Sequence, residues 1–372
     1  MGGRAGFVIF LLVVVAAGGY ELFSSHTSEG APRGSGVAGF VARIFGGTSE
    51  VSGLIGSEKA NFLNNREVQA ILADRYGLEV SFRRAGSFEM LGLSHDGLDF
   101  LWPSSQVALE NYRLDFGSPL ADAIIFNSPI VMYSWTPVVA ELGERRLVAA
   151  PDGVYRAPLE PLLRSILLGQ TWGDVGVEAV FGRFSIASTD PLRSNSGNMF
   201  AGLVANTLAG GVVRSADLPG VLPDVLEVFR VQGRMEHSTG TLFERYLQLG
   251  IARFPLIVGY ESQYIEFARE NPDLWPEVRT QIALIYPVPT VWSSHPLIAL
   301  TENGRALLEA LADEEIQQLA WTQHGFRSGT VGARNDPADL GIERVADTVT
   351  QVMQMPRPEV VFEMMDALET IQ

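Results

Sequence analysis

Short apolar runs alternate with amphipathic segments along most of the chain, a pattern typical of strands followed by helices. Residues 50–55, 78–82 and 98–102 are short, apolar and bounded by polar turns, as buried strands are. Residues 66–76 carry apolar side chains at helical spacing, and Gly77 is placed to end that helix. This β-α-β order predicts an α/β fold with a parallel, doubly wound sheet.

The same alternation continues through the middle of the chain. A longer apolar run at 123–135 predicts a fourth strand, and residues 183–188, RFSIAS, predict another. Residues 199–208 show the apolar face of a buried helix. Apolar runs at 254–258 and 282–286 predict two further strands. The second half of the chain is therefore expected to repeat the architecture of the first.

The C-terminal part of the chain is predicted to be mostly helical. Residues 305–311 and 314–321 have the spacing of amphipathic helices. Residues 335–372 are expected to pack as helices on the outside of the molecule, because residues 359–371 place their apolar side chains on one side.

The N-terminus has the pattern of an export segment. An unbroken apolar run at 7–17 follows Arg4, as in the core of a signal peptide. The run is short for a membrane span, although residues 5–23 together could cross a bilayer. We therefore expect residues 1–23 to be either a signal peptide or a membrane anchor. Residues 24–47 are rich in Ser and Gly and predict a flexible linker.

Composition narrows the possible functions. The chain has 372 residues, which favours two lobes over one core. Its formal charge of −16 argues against nucleic acid as a partner. It contains no cysteine, which excludes thiol nucleophiles and cysteine-based metal sites, and Lys59 is its only lysine. The five histidines are scattered without ligand spacing, so we predict no metal, no cofactor and no enzymatic activity.

Small polar residues, above all serines, follow the predicted strands. In open α/β sheets, ligands bind in the crevice beyond the carboxyl ends of the strands. Serine hydroxyls there could bind a ligand, or they could cap the helices that follow. A Ser-Asn-Ser-Gly segment also lies at a predicted helix N-terminus, where backbone N–H groups favour a negative or strongly polar ligand group. The expected ligand-binding residues are Ser57, Glu58, Ser87, Ser104, Ser128, Thr189, Asp190, Ser194, Ser196, Gly197 and Glu261.

The order of these turns over residues 49–329 resembles the bacterial extracellular solute-binding proteins of the type II periplasmic class. Those that bind sulfate, molybdate or phosphate are the most similar in pattern. The resemblance rests on Gly56-Ser57-Glu58, Ala85-Gly86-Ser87, Trp102-Pro103-Ser104-Ser105, Asn127-Ser128-Pro129, Thr189-Asp190-Pro191, Ser194-Asn195-Ser196-Gly197, Glu261-Ser262 and Gly325-Phe326-Arg327.

The resemblance implies two doubly wound α/β lobes joined by two crossing segments, near 130–135 and 286–289. Lobe 1 would comprise residues 48–134 plus 287–372, and lobe 2 residues 135–286. The ligand would lie in the cleft between the lobes, and hinge closure would bury it.

The predicted cleft also contains acids, which leaves the charge of the ligand open. These acids are Glu58, Asp99, Asp190 and Glu261. Burying a carboxylate beside a dianion is costly unless the carboxylate accepts a proton from the dianion or pairs with arginine. Arg193 is one such counter-ion. Carboxylates without compensation would instead favour a cationic or amine-bearing ligand.

Three functions are compatible with these features. The first is an extracytoplasmic protein, in the periplasm or at the cell surface, that captures a small polar solute and delivers it to an ABC permease. An oxyanion is one candidate solute, and the N-terminal segment would provide membrane contact. The second is a membrane-tethered sensor or surface-assembly protein with the same fold. The third is a secreted enzyme on an α/β scaffold, since fold alone does not fix function.

Overall fold

A computed structural model describes residues 48–330 and 333–371. The strands are β1 (Ser49–Ile55), β2 (Leu78–Arg84), β3 (Phe100–Trp102), β4 (Ala121–Trp135), β5 (Tyr155–Pro158), β6 (Leu256–Tyr260), β7 (Ile282–Val288), β8 (Thr290–Ala299), β9 (Arg327–Ser328) and β10 (Val352–Met353). The α-helices are α1 (Ala60–Asn64), α2 (Arg66–Tyr76), α3 (Glu89–Gly92), α4 (Gln106–Phe116), α5 (Thr136–Glu144), α6 (Leu159–Leu167), α7 (Asn195–Ala209), α8 (Leu218–Arg230), α9 (Thr239–Leu249), α10 (Glu261–Glu270), α11 (Trp275–Gln281), α12 (Glu302–Ala310), α13 (Glu314–His324) and α14 (Pro358–Glu369). Short 3₁₀ turns span Ser57–Lys59 and Pro337–Leu340.

The first lobe is built on strands in the order β2-β1-β3-β8-β4. Strand β1 is parallel to β2 and β3, whereas β8 is antiparallel to both β3 and β4. The predicted parallel pairing is therefore confirmed for the β-α-β segment at the start of the described chain. The sheet as a whole is mixed, because β4 and β8 run antiparallel to each other.

Two crossing strands join the lobes. Residues 121–129 of β4 pair with β8, and residues 130–135 pair with β6 and β7 in the second lobe. The chain returns from β7 to β8 through a cis peptide bond between Val288 and Pro289. The structure thus confirms the α/β fold with two lobes and two crossings.

The predicted strand at 183–188 is wrong. This segment makes only isolated bridges, from Arg183 to Thr171 and from Ala187 to Ile257. The backbone leaves the sheet at Ser188, whose N–H donates instead to the side chain of Gln232 at 2.7 Å. Alternating apolar and polar residues here reflect a segment that is buried beside β6 without joining it as a strand.

Helix α14 buries the apolar side that the sequence predicts, with Val360, Val361, Met364 and Leu368 all at most 2% exposed. It packs against α8 and α7 as well as α4, so its contacts reach helices on both sides of the crossing strands. The lobe boundaries near 134 and 287 remain predictions. In the part of the chain that the structure covers, no helix has the length and apolar character that crossing a bilayer requires. The predicted export segment and linker lie outside the described residues.

Candidate functional site

A cleft of about 550 Å³ lies between the two lobes, beyond the carboxyl ends of β1, β2 and β6. The first lobe contributes Ser57, Glu58 and Ser87, and the second contributes Ser194. These four predicted residues therefore face one space from opposite sides. A cleft of this volume is in the usual range for a small-molecule site.

Behind the first-lobe wall lies the only lysine of the chain. Glu58 is 25% exposed at its side chain, whereas Lys59 is fully buried. Lys59 Nζ donates to Glu58 Oε1 at 2.5 Å and to Ser104 Oγ at 2.7 Å, and lies 3.3 Å from His295 Nδ1. Ser104 Oγ also donates to Glu58 Oε1. Ser104 is 1% exposed and thus supports the wall from behind rather than lining the cleft.

Electrostatics determine the protonation of this cluster. Burial, with the neighbouring charge of Lys59, holds the pKa of His295 well below its ordinary value, so the ring is neutral. A neutral ring that accepts at Nδ1 from Lys59 carries its proton on Nε2, which lies 3.2 Å from Ser293 Oγ. Burial also lowers the pKa of Lys59, while the bond to Glu58 raises it. Lys59 and Glu58 therefore form an ion pair at the edge of the cleft.

A chain of hydroxyls supports the second-lobe wall. Ser196 Oγ lies 2.8 Å from Thr189 Oγ1, 3.2 Å from Ser194 Oγ and 2.6 Å from Thr239 Oγ1. Ser194 and Thr239 line the cleft, whereas Thr189 and Ser196 are buried one layer behind it. A Cβ atom at Gly197 would collide with the carbonyl of Thr189, so this glycine allows the first turn of α7 to approach the preceding segment.

Asp190 shapes the turn that leads into α7. Its Oδ1 accepts from the N–H of Leu192 at 2.9 Å, and its Oδ2 lies 3.6 Å from Nε of Arg193. Arg193 is 65% exposed at its side chain and lines the cleft, while Asp190 is buried. The predicted pairing of Asp190 with Arg193 is therefore present. Arg193 lines the cleft, and Asp190 lies behind it.

Asn195 connects the two walls at the base of the cleft. Its Nδ2 donates to the carbonyl oxygen of Ser104 at 2.8 Å and to the hydroxyl of Tyr260 at 3.1 Å. Its Oδ1 is buried and has no hydrogen-bond partner within the described chain. Burial and the nearby charge of Glu58 raise the pKa of Tyr260, so its hydroxyl stays protonated.

Two further predicted ligand-binding residues, Glu261 and Ser128, also do not line the cleft, as Ser104, Thr189, Asp190, Ser196 and Gly197 do not. Glu261 is fully buried, and its oxygens accept from Arg327 at 2.6 and 2.9 Å and from the Tyr286 hydroxyl. Ser128 is also fully buried, and its Oγ accepts from the N–H of Ser262 at 3.0 Å. The first is the acid of an internal ion pair, and the second holds the first turn of α10.

Asp99, expected among the cleft acids, lies elsewhere. Its Oδ2 accepts from the N–H of Ser52 at 2.9 Å, and its Oδ1 accepts from Thr301 Oγ1 at 2.6 Å. It therefore ties β1 to the residue that caps α12.

Several residues of the site were not among the predicted ligand-binding residues. Lys59 could have been singled out, because it is the only lysine and directly follows Glu58. His295 carries no local signal, since it lies 236 positions from its partner. The further residues lining the cleft include Arg84, Asn195, Ser238, Thr239, Tyr260, Ser262 and Gln263.

The site offers hydroxyl, amide and carboxylate groups. In the described residues, no group of three or more His, Asp or Glu side chains is arranged to hold a metal ion. The cluster of Lys59, Ser104 and His295 combines a base with a hydroxyl, as a nucleophilic site would. All three side chains are at most 1% exposed, so the cluster supports the wall and is not open to a substrate.

The fold is that of the type II extracellular solute-binding proteins. Over 87% of this chain and 99% of the other, the structure is similar to iron-bound HitA from Pseudomonas aeruginosa, with a TM-score of 0.58 and 11% identity. Apo FutA2 from Synechocystis matches over 87% of this chain and 99% of its own, with a TM-score of 0.54 and 13% identity.

The sulfate-binding protein SubI from Mycobacterium tuberculosis has the same fold. It matches over 84% of this chain and 96% of its own, with a TM-score of 0.52 and 16% identity. At these identities the likeness shows the fold alone. No protein-family model matches the chain, and no curated protein matches it by sequence.

Proposed function

We propose that this protein is an extracytoplasmic solute-binding protein that captures one small polar solute in its interlobe cleft and delivers it to an ABC permease. The observation that carries the proposal is the cleft itself, lined from both lobes by Ser57, Ser87, Ser194 and Thr239. Hydroxyl and amide groups from opposite walls suit a polar solute, because each can donate or accept a hydrogen bond.

The fold supports the same function. SubI is named for binding sulfate, and HitA is described with bound iron. The crossing strands β4 and β7–β8 are placed to act as a hinge, and hinge closure is how two-lobed binding proteins enclose a solute. A permease that binds the closed, solute-loaded form in preference to the open form would receive the solute.

Native mass spectrometry of the full chain, purified from the cell envelope, tests the capture step. We expect one solute per chain, and its loss in Ser57→Trp, which would fill the cleft from the first-lobe wall. Ser215→Trp is the matched control, because Ser215 is exposed and does not line the cleft. A solute retained equally by both variants, or bound by neither variant nor the wild type, would contradict the proposal.

A further inference from the structure

We infer that Asn195 is a positioning residue that sets the balance between the open and closed arrangements of the lobes, and with it the affinity for solute. Its side-chain amide bridges the two walls at the base of the cleft by donating to the carbonyl oxygen of Ser104 at 2.8 Å. This inference rests on the proposed function and specifies how closure of the same cleft is regulated. A hydrogen bond suits this role, because it is lost once donor and acceptor lie more than about 3.5 Å apart.

The donor is fixed to the second lobe by contacts of its own. Nδ2 of Asn195 also donates to the hydroxyl of Tyr260 at 3.1 Å and lies 3.2 Å from Sδ of Met199. Tyr260 ends β6, and Met199 lies one turn further along α7, so both partners belong to the second lobe. These acceptors determine which end of the amide faces Ser104, and they place its NH₂ group there.

The acceptor is fixed to the first lobe in the same way. The N–H of Ser104 donates to Oγ of Ser87 at 3.0 Å, and its Oγ accepts from Lys59 Nζ at 2.7 Å. Its carbonyl oxygen also accepts from Oγ of Ser293 on β8 at 2.8 Å. Each polar group of Ser104 therefore has a partner within the first lobe. If the lobes separate, the bond from Asn195 is the one that breaks.

Breaking this bond leaves the other groups satisfied. The Ser104 carbonyl keeps the bond from Ser293, and the amide NH₂ group keeps the bond to Tyr260. When the walls touch, by contrast, Oδ1 of Asn195 is buried and has no hydrogen-bond partner within the described chain. An unsatisfied buried acceptor costs free energy, which hydration recovers when the walls part. Burial of Oδ1 therefore offsets the bond to Ser104 and keeps closure reversible.

Open space flanks the bridge between Asn195 and Ser104. The cleft of about 550 Å³ is lined by Asn195 itself and by Ser194. A second space of about 720 Å³ is lined by Ser105, directly after Ser104, and by Met199, one turn beyond Asn195. This second space is also bounded by both lobes, so the walls near the bridge are not packed together on every side. A small rotation of the lobes is therefore enough to break the bond.

Pulsed electron paramagnetic resonance of the solute-free full chain tests this balance. Cysteines introduced at Arg83 and Arg234, which are exposed in opposite lobes, would carry the spin labels. We expect Asn195→Ala to lengthen and broaden the distance distribution, because it removes a bond that only the closed arrangement has. Asn195→Asp places a second acceptor against the Ser104 carbonyl and should lengthen the distance further. Since an acid is favoured in the first turn of a helix, this second variant also serves if Asn195→Ala folds poorly.

Affinity for the solute that mass spectrometry identifies in the wild type should fall about twofold to tenfold in Asn195→Ala, the range that one net hydrogen bond supplies. Because the bond holds the closed arrangement, most of this loss should appear as faster dissociation. Asn271→Ala is the matched control. Its Nδ2 donates to the Phe267 carbonyl at 2.9 Å, at one end of α10 and away from the cleft. This variant should leave both the distance and the affinity unchanged.

A solute-free distance that Asn195→Ala and Asn195→Asp both leave unchanged would overturn this inference, even if affinity falls. Asn195 would then contact the solute without acting on the lobes, and the proposed function would stand. An equal lengthening in Asn271→Ala would overturn the inference as well. A wild type that retains no solute would instead refute the proposed function. The solute-free distances would still show whether Asn195 sets the balance of the lobes.

Discussion

At the residue scale, two glutamates that follow strands have opposite roles. Glu58 lines the cleft, whereas Glu261 lies inside the protein against Arg327 and Tyr286. Arg327 also donates to the backbone carbonyls of Ala346 and Asp347, so one ion pair ties α10 and β9 to the segment that follows them. The pair is a structural element of the fold.

Replacing Glu261 with Ala should therefore destabilise the fold rather than act on binding alone. Removing one partner of a buried ion pair leaves an uncompensated charge, which costs about 3–5 kcal/mol. Chemical denaturation of wild type and variant measures this loss. Glu302→Ala, at an exposed pair with Arg305, is the control and should change the free energy of unfolding by less than about 0.5 kcal/mol. Equal effects of the two substitutions would refute the assignment.

The sequence alone could not separate these two glutamates. Both lie within a few residues of the end of an apolar strand, so the local pattern is similar. What distinguishes Glu261 is Arg327, which lies 66 positions further along the chain. Only the folded topology brings β9 beside the start of α10.

At the scale of elements, the cluster behind Glu58 joins three parts of the first lobe. Lys59 lies in the turn after β1, Ser104 in the loop before α4 and His295 on β8. Because His295 is neutral and fully enclosed, the native state resists its protonation. The unfolded chain takes up that proton near the ordinary histidine pKa of about 6.5.

Stability should therefore fall as the pH drops below about 6.5, because only the unfolded state gains the proton there. Between pH 7 and pH 5.5 the expected loss from this ring is about 1 kcal/mol. Denaturant titrations at each pH measure the loss, and His295→Gln should flatten it. His237→Gln, at an exposed ring, serves as the control and should retain the full slope. An unchanged slope in His295→Gln would show that this ring is not the group responsible.

Helices and strands whose apolar residues recur at regular spacing lie where the sequence predicts them. The helix at 66–76 and the strand ends near Ser57 and Ser87 lie where their pattern indicates. The segment at 183–188 failed, because an apolar segment beside a sheet has the same pattern as a strand within it. The local pattern of apolar residues predicts which residues are buried, but it does not predict which backbone groups they pair with.

At the scale of the whole molecule, the two walls already touch at the base of the cleft. Asn195 of the second lobe donates to Ser104 of the first, and Asn61 donates to Glu270 at 3.0 Å. A solute that contacts both walls would favour the arrangement in which they are close. The crossing strands are where this movement would occur.

The absence of cysteine from the sequence makes that movement directly measurable. Arg83 and Arg234 are exposed, belong to opposite lobes and do not line the cleft. Cysteines introduced at these two positions would be the only sites for spin labels. A second pair at Arg83 and the exposed Leu114, both in the first lobe, provides the control.

Pulsed electron paramagnetic resonance of the doubly labelled full chain, with and without the co-purified solute, is the most direct test that the solute is held between the lobes. We expect the solute to shorten and narrow the distance distribution between labels at Arg83→Cys and Arg234→Cys, while the distance within the first-lobe pair stays unchanged. A solute bound at one per chain with no change in the distance between the lobes would contradict this expectation.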